Sequence, residues 1–305
     1  MKKQVLIIAT ALATLAGCTS NLEPVPEPQG EGIFATIEQP ALPFQTKSFS
    51  WDNNALKFTW GSNENVVVFG REGNKGKADA ALLRTLTSGE ASSKLESKGF
   101  QLMDGINYYA YIPAAKFDIT TDFTYIPLTF EGQRQTANND TYHLKSYDYA
   151  CAKATKASGA NSLEFNLKNQ VGWIVVEHLF TEETKGVTSL TLSTTDPLFT
   201  NSCNLDATSS TLKWNDYSAT LKLDLGKTNG AGIDFNKGEY FRAFFTTAPV
   251  DLSGKELTIT AHKADGTSVV LLRKTLGDCN IQKNSTVIIK TESAKTFKSV
   301  ASING

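Results

Sequence analysis

The chain has 305 residues, of which 40% are hydrophobic and 20% charged, and its formal net charge is −1. That is a globular composition, long enough for one large or two ordinary domains. A charge so near zero sets up no field that would gather nucleic acid, which excludes that class of partner. Phe (17) and Tyr (9) are plentiful while Met (2) is scarce, a bias toward strands rather than helices.

Lys2 and Lys3 open the chain with a short basic segment, and Val5 to Leu15 follow as an apolar run interrupted by Thr10 and Thr14. A basic start, a short apolar stretch and small residues before a cut describe a secretory signal peptide. The run is too short to span a bilayer, which takes about 20 apolar residues. Leu15-Ala16-Gly17-Cys18 resembles a bacterial lipobox. That resemblance implies cleavage before Cys18 and acylation of its thiol and of the new amino group, with residues 1–17 removed. Several acyl chains hold a protein on a membrane stably, where one is marginal. Residues 18–32 then read as a lipidated tether. Glu23 to Gly32 is rich in Pro and Gly and too poor in large apolar groups to fold, and the prolines stiffen it.

Beyond the tether the chain reads as short strands separated by turns. Ile33–Ile37 is rich in β-formers, Leu56–Trp60 alternates as a half-buried strand should, and Asn65–Gly70 is a continuous apolar run. Further strands are predicted at Ala81–Leu86, Asn107–Ile112, Thr124–Phe130 and Asp148–Thr155, with Gly, Asn and Asp clusters between them. The loop Lys156–Asn161 is the best internal boundary and divides the chain into residues 33–158 and 159–305. The second part carries predicted strands at Ser162–Leu167, Gly172–Phe180, Val187–Ser193, Leu198–Leu205, Ala219–Leu225, Tyr240–Thr246, Glu256–Lys263, Ser268–Lys274 and Ser285–Thr291. Asp265-Gly266 marks a tight hairpin, because that pair suits turns needing positive φ. No stretch reads as a helix of three turns; Lys77–Leu86 comes nearest. Many short strands at this spacing predict an all-β chain built as sandwiches.

Candidates for chemistry are few. Cys151, Cys203 and Cys279 are compatible with one disulfide and a free thiol, or with three buried thiols, and the second reading is favoured. His143, His178 and His262 are far apart, with no partner at metal-ligand spacing. Cys151 has no flanking signature of a nucleophile. Glu182-Glu183 reads as a solvated turn, and Gly70–Lys77 as a hairpin loop lacking the Gly-Lys-Ser/Thr ending of a phosphate loop. On a strand, Tyr109 and Tyr111 share one face and Tyr108 the other, so one face could offer a stacking platform for a glycan. No catalytic residue, metal or cofactor is predicted.

The order of segments resembles the fimbrillin-like proteins, subunits of type V pili and related surface lipoproteins of Bacteroidales. The likeness is a loose pattern over most of the mature chain. It rests on Thr46-Lys47-Ser48, Trp60-Gly61 leading into Val66–Phe69, Tyr108–Pro113, Pro127-Leu128, Gln133-Arg134-Gln135, Asp148–Ala152, Phe165–Leu167, Val171–Val175 and Pro249–Leu257. It implies two consecutive transthyretin-like β-sandwich domains without enzymatic activity. It also implies an outer-membrane lipoprotein at the cell surface or in a fimbrium, partnered by other such subunits through strand exchange; the alternative reading is a surface lipoprotein that binds a host or glycan ligand. In stalk subunits of that family an N-terminal segment is cut away, commonly after Arg. This chain has no Arg before Arg71, which leaves Lys47 as the basic residue for such a cut. Either Lys47 is cut, or the lipid stays and the chain is an anchor or a free-standing lipoprotein. The segment Glu292–Gly305 is a donor strand or a tail.

Overall fold

The computed structural model describes residues 32–39, 51–52, 55–56, 58–71, 77–97, 99–114, 123–291 and 298–299. Strand β1 (Gly32–Ile37) begins a barrel, and β2 (Trp51–Asp52) and β3 (Ala55–Leu56) form a small separate hairpin. Next come β4 (Asn65–Arg71), β5 (Lys77–Thr85), β6 (Ser92–Glu96) and β7 (Asn107–Ile112). Then β8 (Ile126–Thr129) and β9 (Arg134–Gln135) leave the barrel, and β10 (Ala150–Thr155) and β11 (Ser162–Asn169) return to it. The barrel closes in the order β1-β11-β10-β7-β4-β5-β6, with β6 pairing back onto β1. Every pair is antiparallel except β1 with β11.

The second part begins at β12 (Gly172–Leu179), a strand buried on both faces. It continues through β13 (Thr184–Thr194), β14 (Phe199–Asp206), β15 (Thr211–Ser218), β16 (Thr220–Leu225), β17 (Ile233–Phe235) and β18 (Tyr240–Thr247). The remainder is β19 (Val250–Asp251), β20 (Glu256–Lys263), β21 (Thr267–Thr275), β22 (Asn280–Ile281), β23 (Thr286–Thr291) and β24 (Lys298–Ser299). One sheet runs β18-β12-β23, a larger one β24-β21-β20-β13-β16-β9 with β17 on β13, and a third β15-β14-β8. The first two meet at a cluster of rings: Phe235 on β17 stacks 4.3 Å from Phe180 and lies tilted 4.6 Å from Phe241 on β18.

The all-β expectation holds. Within the described residues the helical element between β9 and β10 is a five-residue 3₁₀ turn, Tyr142–Ser146. No described helix is long and apolar enough to cross a membrane. Lys77–Leu86, the nearest approach to a helix in the sequence, is strand β5. The two parts interlock. β8 pairs with β14 and β9 with β16, and Phe58 packs 5.1 Å from Trp173. Strand β11, beyond the expected boundary at 158/159, completes the barrel.

Local chemistry explains several joints. The Asp-Gly hairpin forms as predicted between β20 and β21, with Gly266 at φ +81°. Gly172 opens β12 where the turn 282–285 presses on it; a Cβ there would lie 2.4 Å from Ile281 and 2.7 Å from the Gln282 carbonyl. The strand predicted over Leu56–Trp60 stops at Leu56. Residues 58–60 lie outside any strand, yet Phe58 and Trp60 are buried, and the main chain of Trp60 bonds to Gly89 and Glu90.

Candidate strand-exchange site

β1 is the strand that closes the barrel. It lies parallel to β11 from Gly32↔Ser162 to Ile37↔Leu167, and antiparallel to β6 from Ile33↔Leu95 to Thr36↔Ser92. Its alternation is strict: Ile33, Ala35 and Ile37 are buried at 0–1% exposure, while Phe34 and Thr36 are half-buried. The register stacks Ile33, Ala35 and Ile37 beside Leu163, Phe165 and Leu167, so three apolar knobs fill the barrel on one face. The main chain is fixed from three directions. Gly32 N–H donates to Asn161 O (3.0 Å), Ile37 N–H to Ala91 O (3.1 Å), and the Trp60 indole N–H to Ala35 O (3.0 Å). Without residues 32–37 the barrel would be open between β6 and β11. The slot would be six residues long, with unpaired main chain on both walls and pockets at every second position. Those are the requirements of β-augmentation.

A second strand edge lies at β18, and the Gln133-Arg134-Gln135 motif closes it. Among the described residues β18 pairs with β12 on one side only. Along its other side run side-chain amides. Gln133 donates to Thr246 O (2.8 Å) and accepts from Thr246 N–H (2.7 Å). Gln135 donates to Arg242 O (2.7 Å) and accepts from Phe244 N–H (3.1 Å). Asn138 donates to Tyr240 O (2.8 Å) and accepts from Arg242 N–H (3.3 Å). His143 Nε2 reaches Phe244 O at 2.9 Å. A carboxamide carries the same donor and acceptor as a peptide group, so three of them stand in for a missing strand. The main chain of the same segment pairs with β16, where Asp224 N–H donates to Gln133 O and Gly226 N–H to Gln135 O. Arg134, pointing the other way, binds Asp224 at 2.7 Å.

The candidates for chemistry disperse. Cys18 and Lys47 lie outside the described residues. Cys151, Cys203 and Cys279 are buried free thiols, and burial raises the thiol pKa of each, that of Cys203 to about 12. They act as small apolar residues. The tyrosine platform is not available: Tyr108, Tyr109 and Tyr111 are all buried. Tyr108 faces the barrel interior with Ala110, and Phe123 covers the outer face, stacked 3.7 Å from Phe69 beside Tyr109 and Tyr111. Among the described residues no three His, Cys, Asp or Glu side chains gather as a metal site.

His178 is buried completely on β12, edge-on to Phe180. Thr291 Oγ1 donates to Glu177 O (3.2 Å) and so accepts from His178 Nδ1, 2.5 Å away, which leaves a bare Nε2 with no partner. Protonation would place a buried N–H without an acceptor, and burial lowers the pKa from 6.5 to about 4. The unfolded chain therefore binds more protons between those values. The contribution is fully present above pH 6.5 and is lost as pH falls toward 4. Between pH 7 and 5 the wild type should lose about 2 kcal/mol more than His178→Gln, read from urea midpoints. Parallel pH profiles for the two would refute this.

Comparison with known proteins bears on the fold. No family model matches the chain. In sequence it is similar to the "putative fimbrium tip subunit Fim1C" of Bacteroides ovatus, 24% identical over 188 residues, covering 57% of this chain and 34% of that one. The chain thus spans about a third of the length of that curated relative. In structure it matches a "putative cell adhesion protein" from Bacteroides ovatus with a TM-score of 0.53 at 12% identity, over 89% of this chain and 97% of that one. A protein of the same description from Bacteroides uniformis gives 0.52 at 11% identity, over 89% and 98%. The chain has the fold of these two putative cell adhesion proteins. The resemblance carried by the Tyr108–Pro113 and Gln133–Gln135 motifs is borne out at that level. The fold also gives those motifs physical roles: barrel core for the first and edge closure for the second. Sequence reading missed the slot around β1, because a parallel partner 130 residues away leaves no local signal.

Proposed function

We propose that the chain is a non-enzymatic cell-surface lipoprotein and a fimbrial or adhesin subunit. It is held on the outer membrane by a lipid on Cys18 and is built for assembly with like subunits by strand exchange at the β1 slot. One observation carries this reading. The strand that closes the barrel is also the strand nearest the tether, so membrane attachment and slot closure belong to one stretch of chain. Lys47 lies ten residues beyond Ile37. A cut there would release β1 together with the lipid and open the slot. With no cut, lipid and β1 both stay and the slot stays filled. The two states are exclusive: an anchored chain ends a filament or stands alone, and a trimmed chain extends one. Because no arginine precedes Arg71, we take the anchored or accessory state as the native one.

The same reading treats the chain as two consecutive transthyretin-like units. The hand-over is placed at Gln170-Val171, after β11, rather than at the loop 156–161. The membership of β11 in the barrel supports that placement.

Two measurements on protein from native outer membranes test the proposal. The mature mass should correspond to the full chain from a lipidated Cys18. The same material should not bind a synthetic peptide of residues 32–39, whereas protein cut within residues 40–50 and stripped of β1 should capture it. A natural N-terminus near Ser48 would overturn the anchored state. Failure of the stripped protein to take up the peptide would overturn strand exchange.

A further inference from the structure

The first strand and the last main strand meet at one side chain. After β1 the main chain runs through Glu38 and Gln39. Asn284, in the turn 282–285 that launches β23, donates from Nδ2 to Gln39 O at 2.7 Å. Its Oδ1 accepts from Asn169 Nδ2 at 2.8 Å, and the same Asn169 Nδ2 lies 3.3 Å from Glu38 O. Asn169 is the last residue of β11, the strand against which β1 lies. The two asparagines are 8% and 2% exposed, so water cannot readily replace a lost partner. Asn284 holds a left-handed backbone at φ +60°, a conformation Asn tolerates better than most residues.

We propose that Asn284 couples β1 to β23: while residues 37–39 keep their place the turn that launches β23 is held, and when β1 leaves, the turn loosens and β23 loosens with it. The biological weight of this coupling rests on the strand-exchange reading; the coupling itself does not. Loss of residues 37–39 strips Nδ2 of Asn284 of its acceptor and removes the Glu38 carbonyl from Asn169. Other restraints remain, because Asn284 N–H still donates to Val171 O, and Lys283 still reaches Gln170 and Ser210 O. The effect is therefore a loosening and not a release. It falls on β23 because of what flanks each strand of that sheet. β18 is held by β12 on one side and the amide ladder on the other, whereas among the described residues β23 pairs with β12 alone. One event at the N-terminus thus opens a slot and loosens a strand rich in β-branched residues, Thr286-Val287-Ile288-Ile289, with Ile288 38% exposed. A subunit built this way would loosen β23 only after β1 had gone.

Hydrogen exchange on the full chain tests the coupling. Ile33→Ala with Ile37→Ala weakens β1 without touching the second part. It should speed exchange across 286–291 by about tenfold, the scale of one buried hydrogen bond, and leave 240–246 unchanged. Asn284→Gly keeps the left-handed backbone and removes the side chain. It should speed exchange at 286–291 and, because coupling is reciprocal, at 37–39 as well. In the Asn284→Gly background the β1 substitutions should add nothing further at 286–291. The proposal is overturned if β1 opens while β23 does not respond, or if the two effects on β23 simply add. Should the β1 variant fail to fold, the reciprocal effect of Asn284→Gly decides alone. A coupled chain that captures no strand peptide would refute strand exchange and leave the coupling standing, and an uncoupled chain that captures it would do the reverse.

Discussion

Ala35→Glu should expel β1 and open the barrel, at a cost of more than about 4 kcal/mol. Ala35 is fully buried between Ile33 and Ile37, beside Phe165 of β11, with its carbonyl held by the Trp60 indole. A glutamate there overfills a packed interior and brings a carboxylate with no cation among the neighbours on its face. Either the group takes up a proton or the strand leaves. Leaving is the easier route, because β1 is joined to the rest of the barrel by chain at its C-terminal end alone. Thermal unfolding should begin roughly 10 °C or more below the wild type. The control is the adjacent residue. Phe34 is half-buried with the Lys94 ammonium 5.9 Å from its ring, so Phe34→Glu puts a carboxylate near an existing cation. It should cost no more than about 1 kcal/mol. Differential scanning calorimetry of the two variants decides the matter: similar destabilisation would mean that β1 is not a strand with one buried face, and the slot would lose its physical basis.

Much of the strand content was legible because alternation is a local property. The β1 pattern, the apolar run of β4, the doubly buried β12 and the Asp-Gly hairpin can all be read from fewer than ten residues. What could not be read depends on distant partners. That β7 is covered on both faces follows from Phe123 lying over it, and no feature of Tyr108–Tyr111 reports that cover. β15 escaped notice for the opposite reason. Most of it is wet, with Trp214 and Tyr217 exposed, and the apolar alternation begun at Leu212 and Trp214 breaks off at Asn215-Asp216. Trp60 misled in a third way, because its burial serves a side-chain bond to Ala35 O and not a place in a sheet. The slot belongs wholly to the unreadable class. Its two walls, β6 and β11, lie far apart in the sequence and become neighbours of β1 only when the barrel closes.

Gln133-Arg134-Gln135 is the sharpest case, since its polar residues would ordinarily be assigned to solvent. Gln133 and Gln135 are completely buried, and the bonds of their amides to β18 are the reason. Gln133→Met should therefore be far more damaging than a polar-to-apolar exchange usually is. Methionine matches the length and fills the space, so cavity formation contributes little. What it removes is the partner of Thr246 N–H, of Thr246 O and of Phe130 O, groups already shielded from water. Each stranded group costs about 1–3 kcal/mol, so losing the partner of all three should cost at least about 3 kcal/mol. Gln101→Met, at an exposed position, should change stability by less than about 0.5 kcal/mol. Gln133→Glu separates hydrogen bonding from packing. At pH 7 its carboxylate would face the Thr246 and Phe130 carbonyls that now accept from Nε2, which makes it worse than methionine. In acid the protonated carboxyl regains a donor, so the gap between the two variants should narrow as pH falls. Urea unfolding at pH 7 and pH 5 measures both effects. Equal costs for Gln133→Met and Gln101→Met would show that the edge of β18 needs no guard, and the motif would then have to be explained by its main-chain pairing with β16 alone.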